Sequence, residues 1–221
     1  MANIYRAVSK EKQVTDKLLK PHPTMRPPGN IPYIVDNLWE WARPSEYANR
    51  RMSAFASPTP ELAAIAYGSD CHVYKVEFPE NSSFKICQLI RPDKNQDSRF
   101  HYECKCLKKK IIGHFGNNWF DNDLREKQKI ACLWMPCLKK EETEYFFQNS
   151  DQLKGIKDEL YNFIKYWNDV VLLKDQEDIP DDQGELFFEY PDGYYLRSVG
   201  QHNGGQDHGT VETNQNQHQL F

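Results

Sequence analysis

The sequence lacks an apolar run long enough to cross a bilayer, and no charged-then-apolar leader stands at its beginning. These absences predict a cytoplasmic protein and leave secretion by a leaderless route open. A basic excess is missing too, because 28 lysines and arginines stand against 32 aspartates and glutamates, for a formal net charge of -4. Such a chain has no long-range attraction for nucleic acid or an acidic membrane, so we expect neither as a partner.

The usual spacing of a zinc site is also absent, although the sequence has six cysteines. The Cys104-x-Cys106 pair and the four-residue gap between Cys132 and Cys137 do not match that spacing. A chain made in the cytosol keeps its thiols reduced, and we interpret the cysteines as small buried hydrophobic residues. We therefore predict no metal site.

Length and aromatic content favour one β-rich domain. The 221 residues suffice for one sizeable core, and 13% of them are aromatic. After Gly200 the sequence is rich in Gln, Asn, His and Gly and has almost nothing apolar before Leu220. Because such a segment cannot bury enough surface to order itself, we predict one domain over residues 1–199 and a disordered polar tail over 200–221.

Alternation of apolar residues predicts strands, and spacings of three and four predict helices. The clearest helix signal is Thr59 as N-cap, Pro60 as first helical residue and Gly68 as the stop. Asp192-Gly193 predicts a hairpin between the last two strands. The predicted strands cover 4–8, 53–57, 71–78, 84–90, 131–135, 185–190 and 194–199, and the predicted helices cover 33–42, 60–67, 102–112 and 153–167.

Three short stretches carry candidate chemistry. Arg6 in the first strand is either an edge charge or a guanidinium presented to an anion from a rigid support. Ser57 and Thr59 stand where a strand meets a helix, a position that suits caps and also a ligand cleft. Gln183 and Glu185 are two residues apart in an extended segment, so we expect both side chains to face one cleft.

In this order the three stretches resemble the arginine-serine-glutamate class of the ADP-ribosyltransferase superfamily, which includes clostridial and cholera-like toxins. The middle motif of that class is usually aromatic-x-Ser-Thr-Ser, and residues 55–59, Phe-Ala-Ser-Pro-Thr, are similar to it but carry a proline. The last motif is Gln-x-Glu or Glu-x-Glu before an apolar strand, and Gln183-Gly184-Glu185 looks like it. The resemblance spans residues 6–199.

The resemblance implies an α+β fold in which two small packed antiparallel β-sheets, flanked by helices, form an NAD cleft. It also implies a mono-ADP-ribosyltransferase, a glycosyltransferase that moves ADP-ribose from its co-substrate NAD to a side chain of an acceptor protein. Nicotinamide is released in that reaction. A bacterial or phage toxin, or an effector secreted by a leaderless route, is the implied biological setting.

The same resemblance implies a role for each candidate residue. Glu185 would accept a hydrogen bond from the ribose 2′-hydroxyl, Ser57 would hold Glu185, and Gln183 would orient the nucleophile. Arg6 would bind the pyrophosphate. The loop 174–182 would contact the target protein. The expected NAD contacts are Arg6, Phe55, Ser57 and Thr59.

Other interpretations stay open at this point. Glu189 lies on the same strand face as Glu185, and Glu61 lies near the second motif, so each is a rival carboxylate. Water as the acceptor would make the protein an NAD-hydrolysing toxin of the same fold. A non-catalytic domain that binds a nucleotide or a protein is the alternative from another class.

Overall fold

The computed structural model describes residues 3–12, 14, 16–27, 29, 31–90, 103, 105–107, 109–110, 113–114, 131–173 and 179–199. In this part of the chain, helices pack against two antiparallel sheets, which confirms the predicted α+β class. The predicted tail over 200–221, part of the predicted helix over 102–112 and residues 174–178 of the acidic loop lie outside the described residues.

Seven strands, numbered in chain order, form the two sheets in the described residues. The smaller sheet has the order β1-β3-β7, and the larger has the order β2-β6-β4-β5, with every pair antiparallel. Backbone hydrogen bonds of 2.9 and 2.8 Å between Tyr5 and Ser57 join the two sheets. The strands are β1 (Tyr5–Ser9), β2 (Ala54–Ala56), β3 (Cys71–Glu77), β4 (Lys85–Leu89), β5 (Val170–Leu173), β6 (Leu186–Glu189) and β7 (Tyr195–Ser198).

The predicted helix after β2 is confirmed together with its cap. The Thr59 hydroxyl accepts a hydrogen bond of 3.3 Å from the Leu62 amide, Pro60 follows, and Gly68 ends the helix with a φ of 106°. No helix in the described residues is long and apolar enough to cross a membrane. The α-helices with both ends in the described residues are α1 (Tyr33–Ala42), α2 (Pro60–Tyr67), α3 (Lys140–Asn149), α4 (Asp151–Lys154) and α5 (Lys157–Phe163), and two 3-10 turns cover Cys132–Trp134 and Tyr166–Asp169.

Strand β6 is buried on both faces and joins two hydrophobic clusters. Phe187 packs with Leu38, Trp39 and the other apolar residues of the helical side. Leu186 and Phe188 point the other way, into the cluster between the two sheets. Full burial of each phenylalanine is worth about 1.5–3 kcal/mol. Strand β6 is therefore firmly anchored, and it fixes the position of the residues that precede it, Gln183 to Glu185.

The predicted hairpin between β6 and β7 is wrong. Strand β6 pairs with β2 along one edge and with β4 along the other, so no edge is left for β7. The turn still forms, since the Gly193 amide donates to the Tyr190 carbonyl at 2.8 Å and Gly193 has a φ of 94°. It carries the chain from the larger sheet into the smaller one.

The predicted strand over 131–135 is also wrong, because this segment contains a 3-10 turn. The Asn37 side chain donates to the Leu133 and Met135 carbonyls at 2.7 and 2.8 Å, so these acceptors are satisfied from α1 without a sheet neighbour. The predicted helix over 153–167 is interrupted twice, after Lys154 and after Phe163. Its apolar spacing is nevertheless right, because Leu153, Ile156, Leu160, Ile164 and Trp167 are all buried.

Candidate functional site

A cavity of about 680 Å³ lies between β1, the end of β2, helix α2 and the segment before β6. This volume falls within the range of roughly 300–1,000 Å³ that is usual for small-molecule sites. Side chains from all three predicted stretches line it, although the stretches are far apart in sequence. The lining residues predicted from the sequence are Arg6, Phe55, Ser57, Gln183 and Glu185.

Arg6 reaches the cavity from β1, and its position is fixed by Tyr194. One guanidinium nitrogen donates to the Tyr194 hydroxyl, and the guanidinium carbon lies 5.5 Å from the centre of the same ring. Burial raises the pKa of Tyr194, and the positive charge of Arg6 opposes this only in part. The phenol is therefore neutral at physiological pH and braces Arg6 without cancelling its charge.

Ser57 lines the cavity, but Thr59 does not. The Thr59 hydroxyl is used to cap α2, which is the first of the two roles considered for it. The expected hydrogen bond from Ser57 to Glu185 is not formed between these described residues. The structure thus brings Ser57 and Glu185 to one cavity and gives Glu185 a different hydrogen-bond partner.

Gly184 is required between Gln183 and Glu185 because the chain there lies directly against β4. A Cβ atom at this position would be 2.1 Å from the Leu89 carbonyl oxygen, far inside van der Waals contact. The adjacent Glu185 carbonyl accepts a hydrogen bond of 2.9 Å from the Leu89 amide. Only glycine lets the backbone come this close to β4. Glu185 therefore extends into the cavity from a backbone that is packed directly against that strand.

Gln88, which sequence reasoning did not single out, holds the loop that precedes Glu185. Its fully buried side chain donates to the carbonyls of Asp181 and Gly184 at 2.5 and 3.1 Å and accepts from the Asp181 amide at 3.2 Å. Asp181 in turn accepts from the Gln183 amide at 2.8 Å. A glutamine in an apolar strand was the available signal, because a buried amide must satisfy its hydrogen bonds.

Arg50, which the sequence did not single out, is the hydrogen-bond partner of Glu185. Its guanidinium lies 3.2 Å from a Glu185 carboxylate oxygen and also donates to the Tyr166 hydroxyl. Burial lowers the pKa of Arg50, but Tyr166 and Glu185 raise it more, and the net shift is upward. Arg50 is therefore a permanent positive charge beside the candidate carboxylate.

The two rival carboxylates do not line the cavity. A Glu189 oxygen accepts from the Asn49 amide at 2.9 Å, so this side chain fixes the backbone that carries Arg50. Glu61 is exposed in the first turn of α2. Among the described carboxylates considered from the sequence, Glu185 is the one that lines the cavity.

The described cysteines form neither disulfides nor a metal centre in the part of the chain that the structure covers. Cys71, Cys87, Cys106, Cys132 and Cys137 form no disulfide. No group of three or more His, Cys, Asp or Glu side chains among the described residues is arranged to hold a metal ion.

Comparison with family models, with curated proteins and with solved structures gives no match. The cavity and the residues that line it are therefore the basis for inferring a function.

Proposed function

We propose that this protein is a mono-ADP-ribosyltransferase that uses NAD as co-substrate and modifies a protein side chain. One observation carries the proposal: Arg6, Ser57 and the Gln183-Gly184-Glu185 stretch, separated by up to 179 residues in sequence, reach the same cavity. Residues with these chemistries and in this chain order are the ones that the resemblance to the arginine-serine-glutamate class requires.

Glu185 supports the proposal through the charge that develops in the reaction. When the bond between ribose C1′ and nicotinamide breaks, nicotinamide leaves with the electron pair and positive charge grows on the ribose. A carboxylate bound to the ribose 2′-hydroxyl interacts more strongly as that charge grows, so it stabilises the transition state more than the ground state. Glu185 is one-third exposed and lies at the cavity wall, within reach of a ligand.

Arg6 and Phe55 suit the remaining parts of NAD. A guanidinium on a rigid strand gives the paired donors that a pyrophosphate oxygen prefers. Phe55 is 38% exposed where it lines the cavity, so an aromatic face is open to a flat ring. Gln183 would orient the acceptor nucleophile, which bonds to C1′ and releases its proton to water.

The test compares Glu185→Gln with Glu61→Gln after incubation with cell lysate and NAD labelled in its adenylate half. Wild type and Glu61→Gln should label a protein band. Glu185→Gln should lose about 10²- to 10³-fold in rate, the usual effect of removing one transition-state electrostatic group. Normal labelling by Glu185→Gln would remove this residue from its role.

The same assay separates the alternatives. Loss of NAD and release of nicotinamide without a labelled protein would make water the acceptor and the protein an NAD hydrolase. If NAD remains intact, calorimetric titration with NAD decides between a nucleotide-binding module and a domain with no affinity for it. Binding that is unchanged in Arg6→Gln would remove Arg6 from the pyrophosphate.

A further inference from the structure

We infer that Arg50 is the positioning residue for Glu185, holding one carboxylate oxygen so that the other is presented to the ligand. Arg50 contacts Oε1 of Glu185 at 3.2 Å. Within the described part of the chain, Oε2 has no hydrogen-bond partner, and the side chain faces the cavity. This inference rests on the proposed function, in which the open oxygen accepts the ribose hydroxyl.

The Arg50 guanidinium is fixed by aromatic rings on several sides. Its central carbon lies 4.9, 5.2 and 5.1 Å from the ring centres of Phe55, Tyr166 and Phe187, respectively. A flat delocalised cation packs on such rings, whereas a lysine ammonium has no flat face to offer. The Tyr166 hydroxyl accepts a further hydrogen bond from Arg50. The donor that meets Glu185 therefore has little freedom to move.

The backbone on either side of Arg50 is held as firmly as its side chain. The Asn49 amide donates to Glu189 at 2.9 Å, and the Ser53 hydroxyl donates to the Asn49 carbonyl at 2.7 Å. Arg51 forms a buried ion pair with Asp36 at 2.7 Å. The backbone at Arg50 is therefore fixed where the side chain contacts Glu185.

A carboxylate that must meet one hydroxyl in the transition state is sensitive to small changes in direction. Rotation of Glu185 into solvent would keep its charge but misplace its oxygen, and a displacement of about 1 Å costs on the order of 10²-fold in rate. The effect should fall on kcat, because the contact strengthens as the reaction proceeds. Arg50 therefore acts on the chemical step through Glu185.

The decisive experiment is chemical rescue of Arg50→Ala. We expect this variant to lose about 10- to 100-fold in kcat, as removal of a supporting partner usually does. Guanidinium ions fit the space that the side chain leaves between the rings, so millimolar guanidinium should restore kcat with saturation. Methylammonium has the charge but not the flat shape and should not restore it. Equal rescue by both ions, or by neither, would overturn the assignment.

Arg50→Lys and Arg197→Gln complete the set. Lysine retains the charge without the planar fork, so Arg50→Lys should stay close to Arg50→Ala in kcat while KM changes less than about threefold. Arg197 pairs with Glu77 and Asp16 on the surface, outside the cavity, and its variant should behave as wild type. Wild-type kcat in Arg50→Lys would reduce the role of Arg50 to charge alone and contradict the inference.

A readout without turnover keeps this inference separate from the proposed function. Crystal structures should show one Glu185 rotamer in wild type, several in Arg50→Ala, and one again when guanidinium is soaked in. That result with no NAD turnover in wild type would support Arg50 as the positioning residue and reject the transferase. Turnover in wild type, together with an unmoved Glu185 in Arg50→Ala, would support the transferase and reject Arg50 as the positioning residue.

Discussion

Two consecutive arginines, Arg50 and Arg51, are used by the molecule in opposite ways. Arg51 is 4% exposed and points into the helical side, where Nε and Nη2 donate to Asp36 and Asn37 at 2.7 Å each. Its third group, Nη1, donates to the Leu138 carbonyl. Arg50 does not line the cavity itself but contacts Glu185, which lines it and keeps one carboxylate oxygen open to a ligand.

The difference between Arg50 and Arg51 lies in how completely the polar groups around each arginine are hydrogen-bonded. Around Arg51 even the Asn37 amide is fully used, since it also accepts from the Leu138 amide at 3.0 Å and donates to the carbonyls of Leu133 and Met135. A closed network of this kind holds the fold together and has no capacity for a ligand. A network that stops at a cavity wall has that capacity, and this distinguishes a candidate site from a structural ion pair.

Arg51→Gln tests the difference between the two arginines and has the largest expected effect on stability. Removing one partner of a buried pair leaves Asp36 as an uncompensated charge and should lower the free energy of unfolding by about 3–5 kcal/mol. Urea denaturation measures the loss. The folded fraction should keep wild-type kcat, because Arg51 pairs with Asp36 on the helical side and the hydrogen bonds of Asn49 and Ser53 still hold the backbone of Arg50. A selective fall in kcat with normal stability would show that the two arginines are not separate in function.

A second variant tests the seating of Glu185 and is expected to have a smaller effect on stability. Gly184→Ala places a Cβ atom against the Leu89 carbonyl and should cost about 1–3 kcal/mol, the usual range for overpacking, with a marked fall in kcat. Gly155→Ala is the matched control, because the nearest atom to its added Cβ is 3.9 Å away. Thermal unfolding and kinetics of both variants provide the measurement, and equal behaviour would contradict the proposed close approach.

The sequence predicted local structure better than it predicted contacts between residues far apart in the chain. Three predictions that depend only on nearby residues are confirmed: the cap at Thr59, helix α2 and the strand that follows Glu185. Arg50 was missed because its partner Glu185 is 135 residues away and no local pattern links the two. The hairpin at Asp192 failed for the same reason, since β2 and β4 compete for β6 from distant parts of the chain.

The smallest expected effect concerns pH and the closed cluster around Arg51. Burial raises the pKa of Asp36, and although Arg51 lowers it, the net shift is upward from the usual value of 3.8. The folded protein then holds this proton more tightly than the unfolded chain does. The contribution to stability is therefore present below the unfolded pKa and is lost as pH rises through the folded pKa.

Asp36→Asn removes this titration and keeps the size of the side chain. Urea denaturation of wild type and Asp36→Asn, at steps from pH 3.5 to pH 6.5, should show the wild-type free energy of unfolding falling relative to that of the variant as pH rises above about 3.8. A rise over the same window would mean that the Arg51 ion pair outweighs the cost of burial. In that case charge would stabilise the Arg51–Asp36 pair as it does the Arg50–Glu185 pair. The two pairs would then differ only in that Glu185 lines the cavity and Asp36 does not.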